Sequence, residues 1–198
     1  RGDGGMGTPH PSVAIASNGY PIISSHGNVG LEVTRCLDAD CSTSSTIAVP
    51  GVGDHVWYTA IAIGDDGNPV IAFFEQFLIG DGSNGVFGDL RVSACLDPQC
   101  DTSTVNTVDS GGNIGHYPSI AIGANGNPVI AYYDKTNKNA KIAVCLDSHC
   151  STATVKTLLP WGDGTVYERG EYASIAIGND GNPIASYYMS TYTGQLHS

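Results

Sequence analysis

Tyr117-Pro-Ser-Ile-Ala-Ile-Gly-Ala-Asn-Gly-Asn-Pro-Val-Ile-Ala-Tyr-Tyr-Asp134 places two short apolar runs either side of an Asn-Gly turn. Both turn residues tolerate positive φ, which makes the dipeptide a strong hairpin signal. Pro128 opens the second run, at the strand position where a missing N–H costs least. Ser119–Gly123 and Val129–Asp134 therefore read as strands one and two. Thr136–Asn139 predicts another turn, Lys141–Cys145 a third strand and Thr154–Leu159 a fourth. The unit is a four-stranded antiparallel meander. Its first two strands are apolar at nearly every position, which means that both faces are covered. Lys141, Lys156 and Thr157 interrupt the later strands, as expected toward a solvated rim.

The same stretch is written four times, beginning at Ser12, Ala60, Ser119 and Ser174. Its glycines, Gly19, Gly67, Gly126 and Gly181, are separated by 48, 59 and 55 residues. That period suits a propeller blade of roughly 40–50 residues and is too long for a leucine-rich or ankyrin solenoid. The fold expected is all-β: a β-propeller of four-stranded antiparallel blades, three full and a partial fourth. One domain spans 1–198, with blades near 10–53, 54–113, 114–168 and 169–198. The fourth copy stops at Gln195-Leu-His-Ser, inside its third strand. An open propeller exposes edges and an apolar blade face. The chain as written is therefore expected not to be a closed, self-sufficient monomer: further blades, or further copies, would complete it.

Composition narrows the partners. Lys and Arg total 8 against 19 Asp and Glu, a formal charge of −11, so nucleic acid and anionic membranes are disfavoured. No apolar run approaches the ~20 residues of a membrane-spanning helix. Six cysteines form three equivalent pairs, Cys36/Cys41, Cys95/Cys100 and Cys145/Cys150, each framed Cys-Leu-Asp-x-x-Cys. An even, periodic, closely spaced set points to local disulfides and an oxidising, extracellular compartment. Metal binding by Cys-x4-Cys is the rival, but each site offers two thiolates where structural zinc takes four ligands.

Tyr117-Pro-Ser-Ile-Ala-Ile-Gly, Asn127-Pro-Val-Ile-Ala-Tyr-Tyr-Asp and Lys141-Ile-Ala-Val-Cys-Leu-Asp resemble the tandem propeller-type repeats of secreted bacterial proteins. The resemblance implies a β-propeller in an extracellular bacterial protein and fixes no activity. The Asp-box turn of sialidase-type propellers is missing. Arg35, Arg91 and Arg169 are scattered, so no arginine cluster is expected to grip a carboxylated sugar.

Function is expected where the repeat is broken. In a meander the Asn-Gly turns and cysteine loops share one face, and the second–third turns and blade linkers share the other. Both expansions fall on the second face. One spans Gln76–Gly88 and contains Phe77, Leu78, Ile79 and Phe87. The other is the linker carrying Trp161, Asp163, Tyr167, Glu168, Arg169 and Glu171. Loops on a rigid scaffold are where binding usually resides. Trp57, Tyr58, Phe77, Trp161, Tyr167, Arg169 and Tyr172 are the candidate ligand-binding residues, as stacking platforms for a sugar or anchors for a protein. The bland alternative is that the aromatics plug gaps between blades. His10 aligns with Tyr58, Tyr117 and Tyr172, a repeated ring that reads as packing near the axis.

Catalysis has a weaker signal. Glu168 with Glu171, and Glu75 with Asp134, are the carboxylates a glycosidase would need. Glu75 and Asp134 occupy equivalent positions, which favours a structural role. Asp65-Asp66-Gly67-Asn68 and Asn179-Asp180-Gly181-Asn182 hint at calcium, but the acid-free turn at Ala124–Asn127 makes the same bend. Asp81 and Asp89 leave calcium open, and no cofactor is expected. Three readings result: a non-catalytic extracellular binding or adhesion module, with no enzyme activity; a self-assembling surface subunit; and, last, a glycan-active hydrolase.

Overall fold

The computed structural model describes residues 10–77, 87–158 and 166–191, with backbone alone for 166–169 and 190–191. Every regular element among them is a strand. The first sheet holds β1 (Ser12–Ile15), β2 (Pro21–Gly27), β3 (Gly30–Cys36) and β4 (Ser44–Ala48). The second holds β5 (Val56–Ile63), β6 (Pro69–Phe77), β7 (Phe87–Cys95) and β8 (Ser103–Asp109). The third holds β9 (Ile114–Ile122), β10 (Pro128–Asp134), β11 (Asn139–Cys145) and β12 (Ala153–Thr157). A two-stranded sheet of β13 (Val166–Ile177) and β14 (Pro183–Thr191) follows. Within each sheet the strands pair antiparallel in chain order, as the meander reading requires.

Two boundaries differ from expectation. β9 begins at Ile114 rather than Ser119, and β13 begins at Val166, ahead of Ser174 where the fourth copy of the stretch starts. The cause is a β-bulge in each, which carries pairing past a register shift and on toward the linker. No closed ring is formed by the described residues. The expected unfinished third strand near Gln195, like the Gly-rich 1–9, lies outside them.

The sheets stack face to face in chain order. Ile71 and Phe73 of β6 pack against Leu31 and Val33 of the first sheet. Val70 and Ala72, on the opposite face of the same strand, pack against Ile130 and Tyr132 of the third. Val129, Ala131 and Ile142 then meet Ile175 of β13. Burial on two sides is why β6 and β10 are apolar without alternation. The end sheets are covered on one side only. Val13 and Ile15 are each 61% exposed, and Ile184 is 66% exposed.

The first strands adjoin one another and are stitched by serine. Ile61 N donates to Ser12 Oγ (3.2 Å), and Ile175 N donates to Ser119 Oγ (3.1 Å). Ala60 occupies the equivalent position in β5. The glycine turns between first and second strands interlock as well: a Cβ on Gly67 would meet Ser17, and one on Gly126 would lie 2.7 Å from an Asp65 carboxylate oxygen. These glycines serve both positive φ and close approach between sheets.

Candidate functional site

One tyrosine from each of the second, third and fourth sheets converges on a shared mouth. Tyr58, Tyr117 and Tyr172 have φ of 54°, 50° and 53°, in the left-handed region that non-glycine residues seldom adopt. Each sits at the register shift of its strand, between Trp57 and Ala60, between His116 and Ser119, and between Glu171 and Ser174. A bulge re-aims a side chain, and here it turns three phenols toward one another. The ring centroids of Tyr58 and Tyr117 are 4.4 Å apart, and those of Tyr117 and Tyr172 are 4.5 Å apart. His10 stacks on Tyr58 at 5.1 Å and completes the series.

The mouth is a cavity of about 220 Å³, lined also by Thr59, Pro118 and Ala173. Tyr172 is 60% exposed while Tyr58 is buried, so the series grades from solvent into the interior. The Tyr117 hydroxyl is pushed well above the usual phenol range, first by burial and then by hydrogen bonding with Tyr58 and Tyr172. The rings are amphipathic and held in place: flat apolar surfaces with polar tips, suited to sugar stacking.

Beneath the mouth, His116 is buried against Phe74 (4.2 Å) and shares a 2.5 Å hydrogen bond with Asn113. Burial first, and Lys135 second, hold its pKa down at about 4, so it is neutral at pH 7. Glu171 occupies the equivalent position before Tyr172. It is the described carboxylate adjacent in chain to the mouth.

Other acids at this end are locked into ion pairs. Glu75 accepts from Gly53 N at 2.7 Å and pairs with Arg91. Asp134 accepts from Asn137 N at 2.9 Å and from Lys141 Nζ at 2.8 Å. Lys141 also donates to Asp109 at 3.0 Å, which accepts a hydrogen bond from the Tyr132 hydroxyl at 2.6 Å. Burial alone would raise Asp134; the Asn137 and Lys141 hydrogen bonds outweigh it and leave its pKa lowered. The equivalence of Glu75 and Asp134 seen in the sequence is thus a repeated buried ion pair. Asp89, opposite Glu75, is pushed up by burial, with Arg91 opposing.

The other end is held by short-range capping. Cys36–Cys41, Cys95–Cys100 and Cys145–Cys150 are disulfides, as expected. The Asp of each Cys-Leu-Asp frame closes its loop. Asp97 accepts from Asp101 N (3.0 Å), Thr102 N (2.9 Å) and the Thr102 hydroxyl (2.6 Å). Asp38 and Asp147 do the same with Ser42, Thr43 and Ser151. In the turns, Asp66 and Asp180 accept from the backbone N–H of Asn68 and Asn182, both at 3.0 Å. Among the described residues, no group of three or more His, Cys, Asp or Glu side chains is arranged to hold a metal.

The candidate residues are not one constellation. Tyr58 and Tyr172 meet in the mouth. Trp57 points elsewhere and stacks on His26 at 4.9 Å, between the first two sheets. Phe77 pairs with Phe87 across the base of the expanded hairpin, both partly exposed. Trp161 lies outside the described residues, as do Leu78, Ile79 and Asp81, and of Tyr167 and Arg169 only the backbone in β13 is described. His10 and Tyr117 join the mouth. Their alignment was legible, but nothing in the sequence marked the bulge that brings them together.

No protein-family model and no curated protein matches the chain. Solved structures do. A protein of unknown function from Dyadobacter fermentans superposes with a TM-score of 0.65 at 15% identity, over 91% of this chain and 61% of its own. A thermostable family-43 glycoside hydrolase superposes with a TM-score of 0.55 at 15% identity, over 92% of this chain and 65% of its own. The chain thus spans less than two thirds of either, and such identity establishes the fold alone. That fold corrects the sequence reading. A non-catalytic binding or adhesion module with no enzyme activity was the expectation; the fold is one shared with a glycoside hydrolase, and that expectation is set aside.

Proposed function

We propose that the stacked sheets are blades of a β-propeller, and that the chain is part of a secreted glycan-active hydrolase whose substrate enters at the tyrosine mouth. The observation that carries this reading is the convergence of His10, Tyr58, Tyr117 and Tyr172 on one cavity through three strained bulges. Backbone strain at a cluster of aromatic side chains is a recurrent mark of a functional site. The fold shared with a family-43 glycoside hydrolase supports the reaction class, and three disulfides support an oxidising compartment.

Glycoside hydrolysis takes two carboxylates flanking the scissile bond, one donating a proton to the leaving oxygen. Glu171, one residue before Tyr172, is our first candidate. Glu168, paired through its backbone with Ser190, is the second. The phenols hold the sugar and exclude water from one face of it. The test is reducing-sugar release from a panel of plant and bacterial polysaccharides. Glu171→Gln is expected to lower the rate about a hundredfold or more. Tyr172→Ala is expected to raise KM with a smaller change in kcat. No release from any polysaccharide, or full activity in a Glu168→Gln, Glu171→Gln double variant, overturns the assignment.

A further inference from the structure

The opposite end of the molecule carries a second cleft, and the repeat itself shows why. Between the first and second sheets lies a cavity of about 250 Å³, bordered by Tyr20, Arg35, Asn18, Pro98 and Gln99. Arg35 follows Leu31 and Val33 on the face of β3 that packs against the second sheet. The residues paired equivalently in the next two sheets are Ala94 and Val144, small and apolar. Tyr20 likewise stands where the other turns have Asn68, Asn127 and Asn182. Two departures from the repeat, one cationic and one aromatic, therefore meet in the same cleft.

Arg35 keeps one unmatched donor there. Its Nε is buried without a hydrogen-bond partner, and no carboxylate among the described residues pairs with it. Asp38, close by in sequence, spends its oxygens on Ser42 and Thr43. A guanidinium edge is a fixed fork matched to a carboxylate. The acidic chain disfavours a multiply charged ligand, and one guanidinium balances one negative charge. The cleft falls below the ~300–1,000 Å³ of drug-sized pockets, which suits a single sugar ring.

We infer that this cleft binds a uronate residue, its carboxylate on the Arg35 guanidinium and its ring against Tyr20. Asn18 and Gln99 stand at the rim, within the reach of ring hydroxyls. The expectation was that no arginine cluster is available to grip a carboxylated sugar; this reading needs one arginine, where an aromatic ring and an unmet donor share its cleft. The assignment draws on the cleft alone and not on the hydrolase reading.

Titration followed by calorimetry or NMR tests it, with D-galacturonate and D-glucuronate against galactose, acetate and inorganic phosphate. At least one uronate is expected to bind about tenfold or more tightly than galactose, acetate or phosphate. Arg35→Ala is expected to remove that preference, and Tyr20→Asn to weaken uronate binding several-fold. Both variants restore residues found in the other sheets, so both are expected to fold, and circular dichroism with a melt verifies it. Acetate or phosphate binding as tightly as uronate marks a bare anion site and overturns the sugar assignment. No uronate binding, or binding unchanged in folded Arg35→Ala, overturns it altogether.

Discussion

The two ends of these sheets are held by different chemistry. At the disulfide end, Asp38, Asp66, Asp97, Asp147 and Asp180 all find their partners within five residues of themselves. At the tyrosine end, Gly53 reaches Glu75, Tyr132 reaches Asp109 and Lys141 reaches Asp109 across separations of 22, 23 and 32 residues. The first end is mostly a set of short-range caps within one repeat, joined across sheets by close approach of the turns and by Asn106 Nδ2 donating to His149 O at 3.0 Å. The second is a network that ties sheet to sheet. Damage is therefore expected to stay local at one end and to spread at the other.

The strongest way to break this contrast is Lys141→Met. It leaves Asp134, fully buried, and Asp109 without their shared cation. Removing one partner of a buried pair costs about 3–5 kcal/mol. Denaturant unfolding measures it, and a loss below about 1 kcal/mol would put this end on a level with the caps. The next effect is a pH dependence centred on His116. Its folded pKa of about 4 lies below the ordinary value of 6.5, so the unfolded chain takes up the proton first as pH falls. Stability is expected to drop by about 3 kcal/mol between pH 6.5 and about 4. Urea midpoints at several pH values check this, with His116→Phe expected to flatten the wild-type slope. The smallest effect is at the capping end. Asp97→Ala is expected to cost about 1 kcal/mol, leaving the other two loops unaltered. The hydrogen bond from the Thr102 hydroxyl is the chief reason the Asp97 pKa is lowered. This contribution is present above the ordinary value of 3.8 and fades as pH falls through the lowered one.

The same division decides what was legible. The Asn-Gly-Asn-Pro turns and the Cys-Leu-Asp-x-x-Cys loops act over a few residues, so their chemistry could be named from sequence. Non-alternating runs such as Val129-Ile-Ala-Tyr-Tyr announced two-sided burial, and sheet stacking followed. The mouth was half visible: Tyr58, Tyr117 and Tyr172 aligned with His10, yet a register shift leaves no mark in residue type. Trp57 carried the same aromatic signal and went to the gap beside His26, because the bulge divides neighbouring residues between two directions. Arg35 was passed over for standing alone. Its meaning lay in the cleft across from it, formed by a loop some sixty residues further along the chain.

The acidic position at the tyrosine end has one more consequence. Glu75 and Asp134 fall on the seventh residue of β6 and β10; in β2 that residue is Gly27. A side chain there would collide with the Glu32 carboxyl, which already fills the space from the neighbouring strand. Negative charge is thus kept in a volume rather than at an alignment column. The exchange of glycine for acid is not reciprocal: by strand pairing, Glu32 stands where the later sheets have Arg91 and Lys141. An acid introduced at Gly27 would therefore need the Glu32 carboxyl to give way first, whereas in β6 and β10 the same position already holds its acid against a cation.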